Sequence, residues 1–252
     1  MNYKKHKEIR IKRLYQKIME KFFRKFFISI LRYLNYLEYL NIMNLHQMVF
    51  YNMQKKDNFL KYINLRLKTI LALQSIIDGP ASVFGIDDKE TMQRFYVCLL
   101  DICLNCKIKI TEEEESLIIR IMDSGFIKKR HFPQEVTGSF VKILIQIAKN
   151  SEQIRFIYAI CYCLKLMIQK FQKTQKMLEE DNEGFGMNSY NVKYDDSSCT
   201  NALNSSIFEE IKEIKNKYKN QQKLQSIVTK LLKNEPMPQH MLNKSVYDVY
   251  RQ

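Results

Sequence analysis

Apolar residues recur every three or four positions along most of this chain. The clearest run lies between residues 154 and 171 and consists of Ile154, Ile157, Cys161, Leu164, Ile168 and Phe171. This spacing puts all six side chains on one face of an α-helix of about five turns. Shorter runs of the same kind predict further helices around residues 63–71, 117–122, 140–147, 207–218 and 224–231. The pattern therefore predicts a mostly helical chain, with about ten helices.

Glycine and proline are scarce, which argues against folds that contain strands. The 252 residues include six Gly and four Pro, about 4 %, where ordinary proteins have roughly 12 %. Hairpin turns and strand crossovers need these residues, so an all-β or compact α/β fold is not expected. The hydrophobic content of 46 % is sufficient for a core. We predict an all-α fold, namely a HEAT-like α-solenoid of antiparallel helix pairs, with a single irregular bundle as the alternative.

Polar residues near the ends of the predicted helices have the chemistry of caps. Thr111 with Glu114 fits a capping box, in which each side chain satisfies a free backbone N–H of the first turn. Ser206 with Glu209 fits a second capping box. Ser151 stands where an N-cap would precede the longest apolar run. These positions predict where three helices begin.

Changes in composition predict four segments. Residues 1–25 form a basic N-terminal helix, and residues 26–178 form a helical-repeat array in which Asp78-Gly79-Pro80 stops one helix. Residues 179–204 lack an apolar stripe and are rich in Asn, Asp and Ser, which is typical of a long loop. Residues 205–252 are expected to form a C-terminal helical pair and a tail that packs on the array.

The positive charge is concentrated in two segments. The chain has a net charge of +14, of which residues 1–25 contribute +8 and residues 212–233 contribute +6. Such segments bind polyanions in some proteins and are only solvated lysine-rich faces in others, and both interpretations remain open here. The candidate basic contact surface consists of Lys12, Arg13, Lys17, Lys21, Arg24, Lys25, Lys215, Lys217, Lys219 and Lys223.

Four phenylalanines near the N-terminus alternate with basic residues. Phe22, Phe23, Phe26 and Phe27 flank Arg24 and Lys25, a pattern similar to the basic and aromatic surfaces that bind nucleic acids. The commoner structure for this pattern packs the rings in a core while the long basic side chains reach solvent. We therefore expect the phenylalanines to be buried.

The residues that most resemble a catalytic or metal site have simpler structural explanations. Cys98, Cys103 and Cys106 include one pair at zinc-ligand spacing, but no histidine stands at the matching distance to complete four ligands. We expect reduced, buried cysteines instead. The acidic run 112–115 fits the first turn of a helix, where negative charge complements the helix dipole.

Other motifs of enzymes, cofactors and membranes are not found. Gly184-Phe185-Gly186 lacks the third glycine and the lysine of phosphate-binding loops, and no nucleophile elbow or His-Glu-x-x-His motif occurs. The longest uncharged stretch, residues 39–54, contains several Asn, Gln and His residues that a bilayer core would exclude. No secretory signal follows the basic N-terminus. We expect a non-enzymatic protein with no metal, no cofactor and no membrane span.

The C-terminal third resembles a known family. Residues 201–209 read NALNSSIFE, which is similar to a signature of the nucleolar complex protein 3 family, part of the group with a CCAAT-binding-factor/Mak21-type helical domain. The resembling positions include Asn201, Ala202, Phe208, Glu209 and Tyr218. The ending Lys244–Tyr250 resembles the family's as well. The resemblance covers roughly residues 26–252, with its specific motifs from about residue 178 onward.

The chain also departs from that family. Phe208 stands where the family usually has Trp, and residues 217–220 read KYKN where the family typically has His-Tyr-His-Pro. Any role of those histidines therefore does not carry over. The family's longer N-terminal helical region has no counterpart, as expected of a fragment, an incomplete gene model or a shortened paralogue.

The resemblance implies a nucleolar assembly factor. It implies a scaffold in the nuclear maturation of pre-60S particles, as the partner of a nucleolar complex protein 2 relative, in contact with pre-60S proteins and with pre-rRNA. The alternative that it implies is a nucleic-acid-binding helical module that acts on chromatin in the initiation of DNA replication. The expected location is the nucleus and nucleolus.

Overall fold

A computed structural model of the protein describes residues 55–79, 88–105, 109–128, 132–179, 190, 192–193, 196–242 and 244–252, and the isolated positions 17, 21–22, 25–26, 28–30 and 32. The α-helices are α1 Lys55–Asp78, α2 Lys89–Leu104, α3 Glu112–Met122, α4 Gln134–Asn150, α5 Ile154–Lys170, α6 Phe208–Lys217, α7 Gln222–Leu232, α8 Gln239–Leu242 and α9 Val246–Arg251. A π-helical turn, Asp123–Ile127, follows α3, and 3₁₀ turns occupy Gln172–Leu178, Ser197–Cys199 and Ala202–Asn204. In these parts of the chain there is no β-strand, so the all-α class is confirmed.

The chain divides into two compact units, residues 1–91 and residues 92–252. In the first unit, the predicted stripe on α1 is confirmed at Ile63, Leu67 and Ile70, which are fully buried. The helix ends at Asp78, and the Gly79 N–H bonds to the Ser75 carbonyl at 3.1 Å. The predicted stop is thus confirmed at its first two residues. The division into four sequence segments stays a prediction.

The second unit is arranged around α5. Every residue from 156 to 168 is buried except the half-buried Tyr158, so all faces of this helix are covered and not only the predicted stripe. Within the stripe, Ile154 differs because it is the first residue of the helix and is 37 % exposed. Helices α3, α4, α7 and α9 contact α5. These contacts fit both the solenoid of helix pairs and the single irregular bundle.

An aromatic cluster is part of the core of the second unit. The Phe140 ring on α4 lies 5.7 Å from Phe95, 5.6 Å from Tyr96 and 4.6 Å from Phe126, measured between ring centroids. All four residues are fully buried. Edge-to-face and stacked rings at these separations add to the free energy gained by burying their area. The cluster thereby joins α2, α4 and the π-helical turn.

The predicted helix starts are confirmed at one position and wrong at two. Thr111 and Glu114 form the capping box of α3, and the Thr111 N–H donates to the Glu114 carboxylate at 2.8 Å. Ser206 does not form a capping box with Glu209, because α6 begins later, at Phe208, and the Ser206 oxygen accepts from the Phe208 N–H at 3.1 Å. Ser151 closes a turn instead, accepting from the Gln153 N–H at 3.2 Å. The N-cap positions are Ile207 for α6 and Gln153 for α5, so both helices begin later than predicted.

Replacing Phe140 tests the aromatic cluster. Phe140→Ala is expected to lower the free energy of unfolding by about 3–5 kcal/mol, because the cavity would remove contacts to three rings at once. The matched control is Leu104→Ala at the end of α2, where the side chain is 61 % exposed and the cost should stay within about 0.5 kcal/mol. Urea denaturation followed by circular dichroism measures both. Equal losses in the two variants would contradict this assignment of the core.

Candidate interaction surfaces

One polar face of α4 holds the segment that carries the family signature. Leu203 lies so close to Gly138 that a Cβ at that position would be 2.8 Å from the leucine Cδ2. On the next residue, the Ser139 hydroxyl donates to the Ser197 carbonyl at 2.5 Å and is paired with the Thr200 hydroxyl. Because Gly138 has no side chain, the two 3₁₀ turns can approach α4 closely. The buried Ser139 hydroxyl then holds them on the helix by hydrogen bonds.

A buried ion pair continues this contact one turn further along α4. The Lys142 ammonium lies 2.7 Å from Glu210 Oε1 and also donates to the Ser206 carbonyl. Gln146 donates to the same Glu210 oxygen at 3.1 Å. The Lys142 and Glu210 side chains are only 10 % and 16 % exposed. Because these partners satisfy each other away from water, the pair fixes the start of α6 against α4.

The signature residues themselves have structural roles in this segment. Asn201 has φ 55°, a left-handed conformation that asparagine tolerates better than most residues, and Ala202 beside it is buried. On α6, Glu209 forms an ion pair with Lys212 at 2.9 Å, and the Lys212 ammonium lies 4.3 Å from the centre of the Phe208 ring. These contacts account for four of the five signature positions.

Tyr218 and Lys217 close the C-terminal end of α4. The Tyr218 hydroxyl donates to the Ser151 carbonyl at 2.9 Å. The Lys217 ammonium lies 3.3 Å from both the Lys149 and the Ser151 carbonyl oxygens. The last carbonyls of a helix have no partner within the helix and carry the negative end of its dipole, so an ammonium group is stabilising there. Lys217 is therefore engaged within the chain.

Polar groups on α5 hold the chain that follows α7. The Lys165 ammonium donates to Asn234 Oδ1 at 3.0 Å, and the Gln169 side chain accepts from the Met237 N–H at 3.3 Å. The Tyr162 hydroxyl donates to the Met241 carbonyl. Burial lowers the pKa of Lys165 and raises that of Tyr162 to about 12. These side chains lie at successive turns of α5, so one face of a central helix anchors the tail.

The final helix is fixed by two carboxylates. Asp123 Oδ1, which is buried, accepts from the Val246 N–H at the start of α9 at 2.9 Å. At the other end of that helix, the Tyr250 hydroxyl donates to Glu115 Oε2 at 3.1 Å. Burial raises the pKa of the Glu115 carboxyl to about 7, although the Tyr250 hydrogen bond acts in the opposite direction. The family-like ending is thus docked on α3 and the π-helical turn.

The predicted basic contact surface falls into four groups. Lys17, Lys21 and Lys25 are exposed helical residues, whereas Lys12, Arg13 and Arg24 lie outside the described residues. Lys215 is half-buried and Lys217 binds the end of α4. Lys219 and Lys223 are exposed, and they form no hydrogen bond or ion pair within the part of the chain that the structure describes. The lysines most available to a partner near α6 are therefore Lys219 and Lys223.

The expected burial of the N-terminal phenylalanines is wrong for the two that are described. Phe22 and Phe26 are 59 % and 45 % exposed, and their rings stack in parallel with centroids 6.2 Å apart. They lie next to exposed lysines along the same helical turns. Phe23 and Phe27 lie outside the described residues. An exposed aromatic and basic face is therefore present at this end of the chain.

The cysteines and the acidic run are placed largely as predicted. Cys98 is buried and Cys103 half-buried, while Cys106 is not among the described residues. Among the residues that the structure describes, no three His, Cys, Asp or Glu residues form a group that could hold a metal ion. The acidic run 112–115 lies in the first turn of α3, with Glu112 3.3 Å from Arg155. Nor do the described helices include one long and apolar enough to cross a membrane.

Sequence reasoning missed the buried polar pairs. Lys142 with Glu210, and Asp123 with the N–H of Val246, join residues far apart in the chain. One signal was available in the sequence: Gly138 and Ser139 interrupt the apolar pattern of α4, and helix interiors seldom gain from either residue. Such an interruption indicates that another segment approaches closely.

The docked C-terminal segments and the buried α5 define the class: an all-α module with extensive side-chain contacts between distant segments. The chain belongs to the CBF/Mak21 family, whose family model matches residues 66–224, more than half of its length. The predicted resemblance is thereby confirmed, and the matched region includes the signature 201–218. This family is associated with ribosome biogenesis and is generally nuclear or nucleolar. No curated protein and no solved structure matches the chain.

Removing the ammonium group at position 142 tests the docking of the signature segment. Lys142→Met is expected to lower the free energy of unfolding by about 3–5 kcal/mol, because it leaves the Glu210 carboxylate largely buried without a cation. The double variant Lys142→Met with Glu210→Gln should recover most of that loss. Chemical denaturation of the three proteins measures these differences.

A matched control uses the neighbouring pair on the same two helices. Lys149 and Glu213 lie 2.5 Å apart, with side chains that are 36 % and 55 % exposed. Lys149→Met should cost only about 0–1 kcal/mol, since exposed ion pairs contribute little. If both single variants lost the same stability, burial of the Lys142 pair would not be the cause.

Proposed function

We propose that this protein is a non-enzymatic scaffold in the nucleolar maturation of large ribosomal subunits, as the partner of a nucleolar complex protein 2 relative. Membership of the CBF/Mak21 family supports the biological setting. The single observation that carries the finer assignment is the segment 201–218, which resembles the nucleolar complex protein 3 signature and is docked on α4 by Ser139 and Lys142. The pre-60S particle and pre-rRNA are the expected surroundings.

The chemistry of the core supports a structural role. Burial raises the pKa of the Cys161 thiol to about 12, so this group remains protonated at neutral pH and is a poor nucleophile. The buried Lys142, Lys165 and Asp123 are each held by contacts to other segments of the chain. Polar groups used in this way position helices, whereas a catalytic group must reach a substrate.

Affinity purification tests this proposal. A tagged copy of the full chain is expected to recover the nucleolar complex protein 2 relative together with precursors of the large subunit, and a fluorescent fusion should concentrate in the nucleolus. Lys142→Met should reduce recovery because the signature segment loses its docking, whereas Lys149→Met should not. Failure of the unaltered chain to recover either the partner or the precursors would contradict the proposed role.

A second candidate function is direct binding of nucleic acid, in the setting of chromatin and replication initiation. It is favoured by Lys219 and Lys223, which are exposed beside α6 and α7, and by the exposed face that contains Phe22, Phe26 and Lys25. Lysines supply phosphate contacts, and exposed rings stack on unpaired bases. This candidate requires direct contact with nucleic acid, whereas the scaffold role requires only protein partners.

Salt dependence separates this candidate from a solvated basic face. For a protein that contacts phosphates, log K falls with log salt concentration, and each lysine lost should reduce that slope by about 1. The double variant Lys219→Gln with Lys223→Gln should therefore reduce the slope by about 2 for duplex DNA. Lys193→Gln with Lys244→Gln is the matched control, since both residues are exposed elsewhere. An equal change in both proteins would contradict a defined site at α6–α7.

A further inference from the structure

A cleft of about 280 Å³ lies where the ends of four helices meet in the second unit. Its walls include Ile102 from α2, Ile110 before α3 and Ile147 from α4. Glu115 from the first turn of α3 also lines it, and that residue is only 2 % exposed. One water occupies about 30 Å³ in the liquid, so the cleft has room for an aliphatic chain with a polar head group.

The cleft combines apolar walls with a buried carboxylate. Glu115 accepts a hydrogen bond from the neutral Tyr250 hydroxyl at 3.1 Å, and within the described part of the chain it forms no ion pair. Burial disfavours its charged form and raises the pKa of this carboxyl to about 7. A cation brought into the cleft would stabilise the ionised form at this position.

Backbone carbonyl oxygens offer a cation further acceptors at the cleft mouth. Asn150 and Ser151 form part of the lining at the end of α4, where helix carbonyls carry partial negative charge, while Glu115 and Gln153 stand at the oppositely charged first turns of α3 and α5. The chain's own Lys217 already shows this preference, because its ammonium lies 3.3 Å from the Ser151 carbonyl oxygen. At the rim, Lys109 and Glu152 pair with each other at 2.5 Å, and both side chains are largely exposed.

We propose that this cleft binds an alkylammonium or guanidinium group on an aliphatic chain, with Glu115 as its counter-ion and Ile102, Ile110 and Ile147 around the chain. A lysine or arginine side chain of a partner protein has this chemistry, and so does a polyamine. The inference is independent of the ribosomal role, since it rests on the cleft alone.

Other charged groups around Glu115 must be considered in any pH dependence. On its own helix, Glu112 and Glu114 raise the pKa of Glu115, whereas Arg155 at the start of α5 lowers it. The remaining titratable groups at the cleft and its mouth are Cys103, Lys109, Glu152, Lys217 and Tyr250. Of all these groups, Glu115 is the carboxyl whose raised pKa lies near neutrality, so its ionisation should dominate cation binding between pH 6 and pH 8.

The test uses two small probes that differ only in the head group. Nα-acetyl-lysine methylamide carries the ammonium, and Nα-acetyl-norleucine methylamide is its uncharged counterpart. Titration into the full chain is followed by the methyl NMR signals of Ile102, Ile110 and Ile147. The lysine probe should shift these signals and bind at least about tenfold more tightly than norleucine, since a charge-assisted contact to a buried carboxylate is strong. Equal binding of both probes would overturn the proposal.

The pH dependence gives a second, independent measurement on the unaltered protein. A carboxyl with a pKa near 7 is mostly ionised at pH 8 and mostly protonated at pH 6, so affinity for the lysine probe should fall about tenfold over this range. An affinity that is constant, or that rises as the pH falls, would overturn the proposal. This measurement needs no variant and therefore does not depend on the folding of one.

Glu115→Gln keeps the size of the side chain and an acceptor for Tyr250 while removing the charge. It should abolish both the preference for the lysine probe and its pH dependence, with an unchanged circular dichroism spectrum. Glu152→Gln at the exposed rim is the matched control and should alter affinity less than about threefold, because exposed charges are screened. If Glu115→Gln bound the lysine probe as tightly as the unaltered chain, the assignment of Glu115 as counter-ion would be wrong.

A comparison of two ligands identifies the source of the cation. Tighter binding of spermidine than of a lysine-containing peptide would identify a polyamine as the ligand, and the reverse would identify a protein side chain.

Discussion

The complete burial of α5 is the constraint on which the second unit depends. Thirteen consecutive positions, 156–168, include only one residue that is not buried, so the surrounding helices must cover every face of α5. A helix in this position also carries polar groups into the core, where each needs a partner. The partners of Tyr162 and Lys165 lie in the chain that follows α7. Because these buried groups need their hydrogen bonds, the burial of α5 also fixes the path of the tail.

Helix α4 likewise holds the signature segment through buried polar groups that need a partner. Gly138 allows a backbone to approach, Ser139 supplies a buried hydroxyl and Lys142 a buried cation. Together they hold residues 197–210 without any regular secondary structure longer than one 3₁₀ turn before α6. The positions that resemble a family signature thus maintain the fold of the domain. Among the described residues, the lysines after α6 and the N-terminal aromatic face are exposed.

Much of the local structure was predictable, because it depends on neighbours along the chain. The all-α class, the stripes on α1 and α5, and the capping box of Thr111 and Glu114 follow from helical periodicity and from short-range hydrogen bonds. The failures concern the exact start of a helix and the burial of aromatic rings, neither of which spacing alone decides. The Ser206 oxygen accepts from the Phe208 N–H instead of capping with Glu209, and Phe22 and Phe26 remain exposed although their type and spacing indicated a core.

The sequence by itself determined the helical class, the positions of the main apolar faces, the charge distribution and the family resemblance, since each is a property of residue types at fixed spacings. Only the tertiary structure decided which polar groups meet. Lys142 and Glu210 are 68 residues apart, and Glu115 and Tyr250 are 135 apart. Periodicity carries no information about such pairs, because they form only when packing brings distant helices together and excludes water between them. Which lysines remain exposed, and why burial raises the pKa of the Glu115 carboxyl to about 7, are therefore consequences of packing.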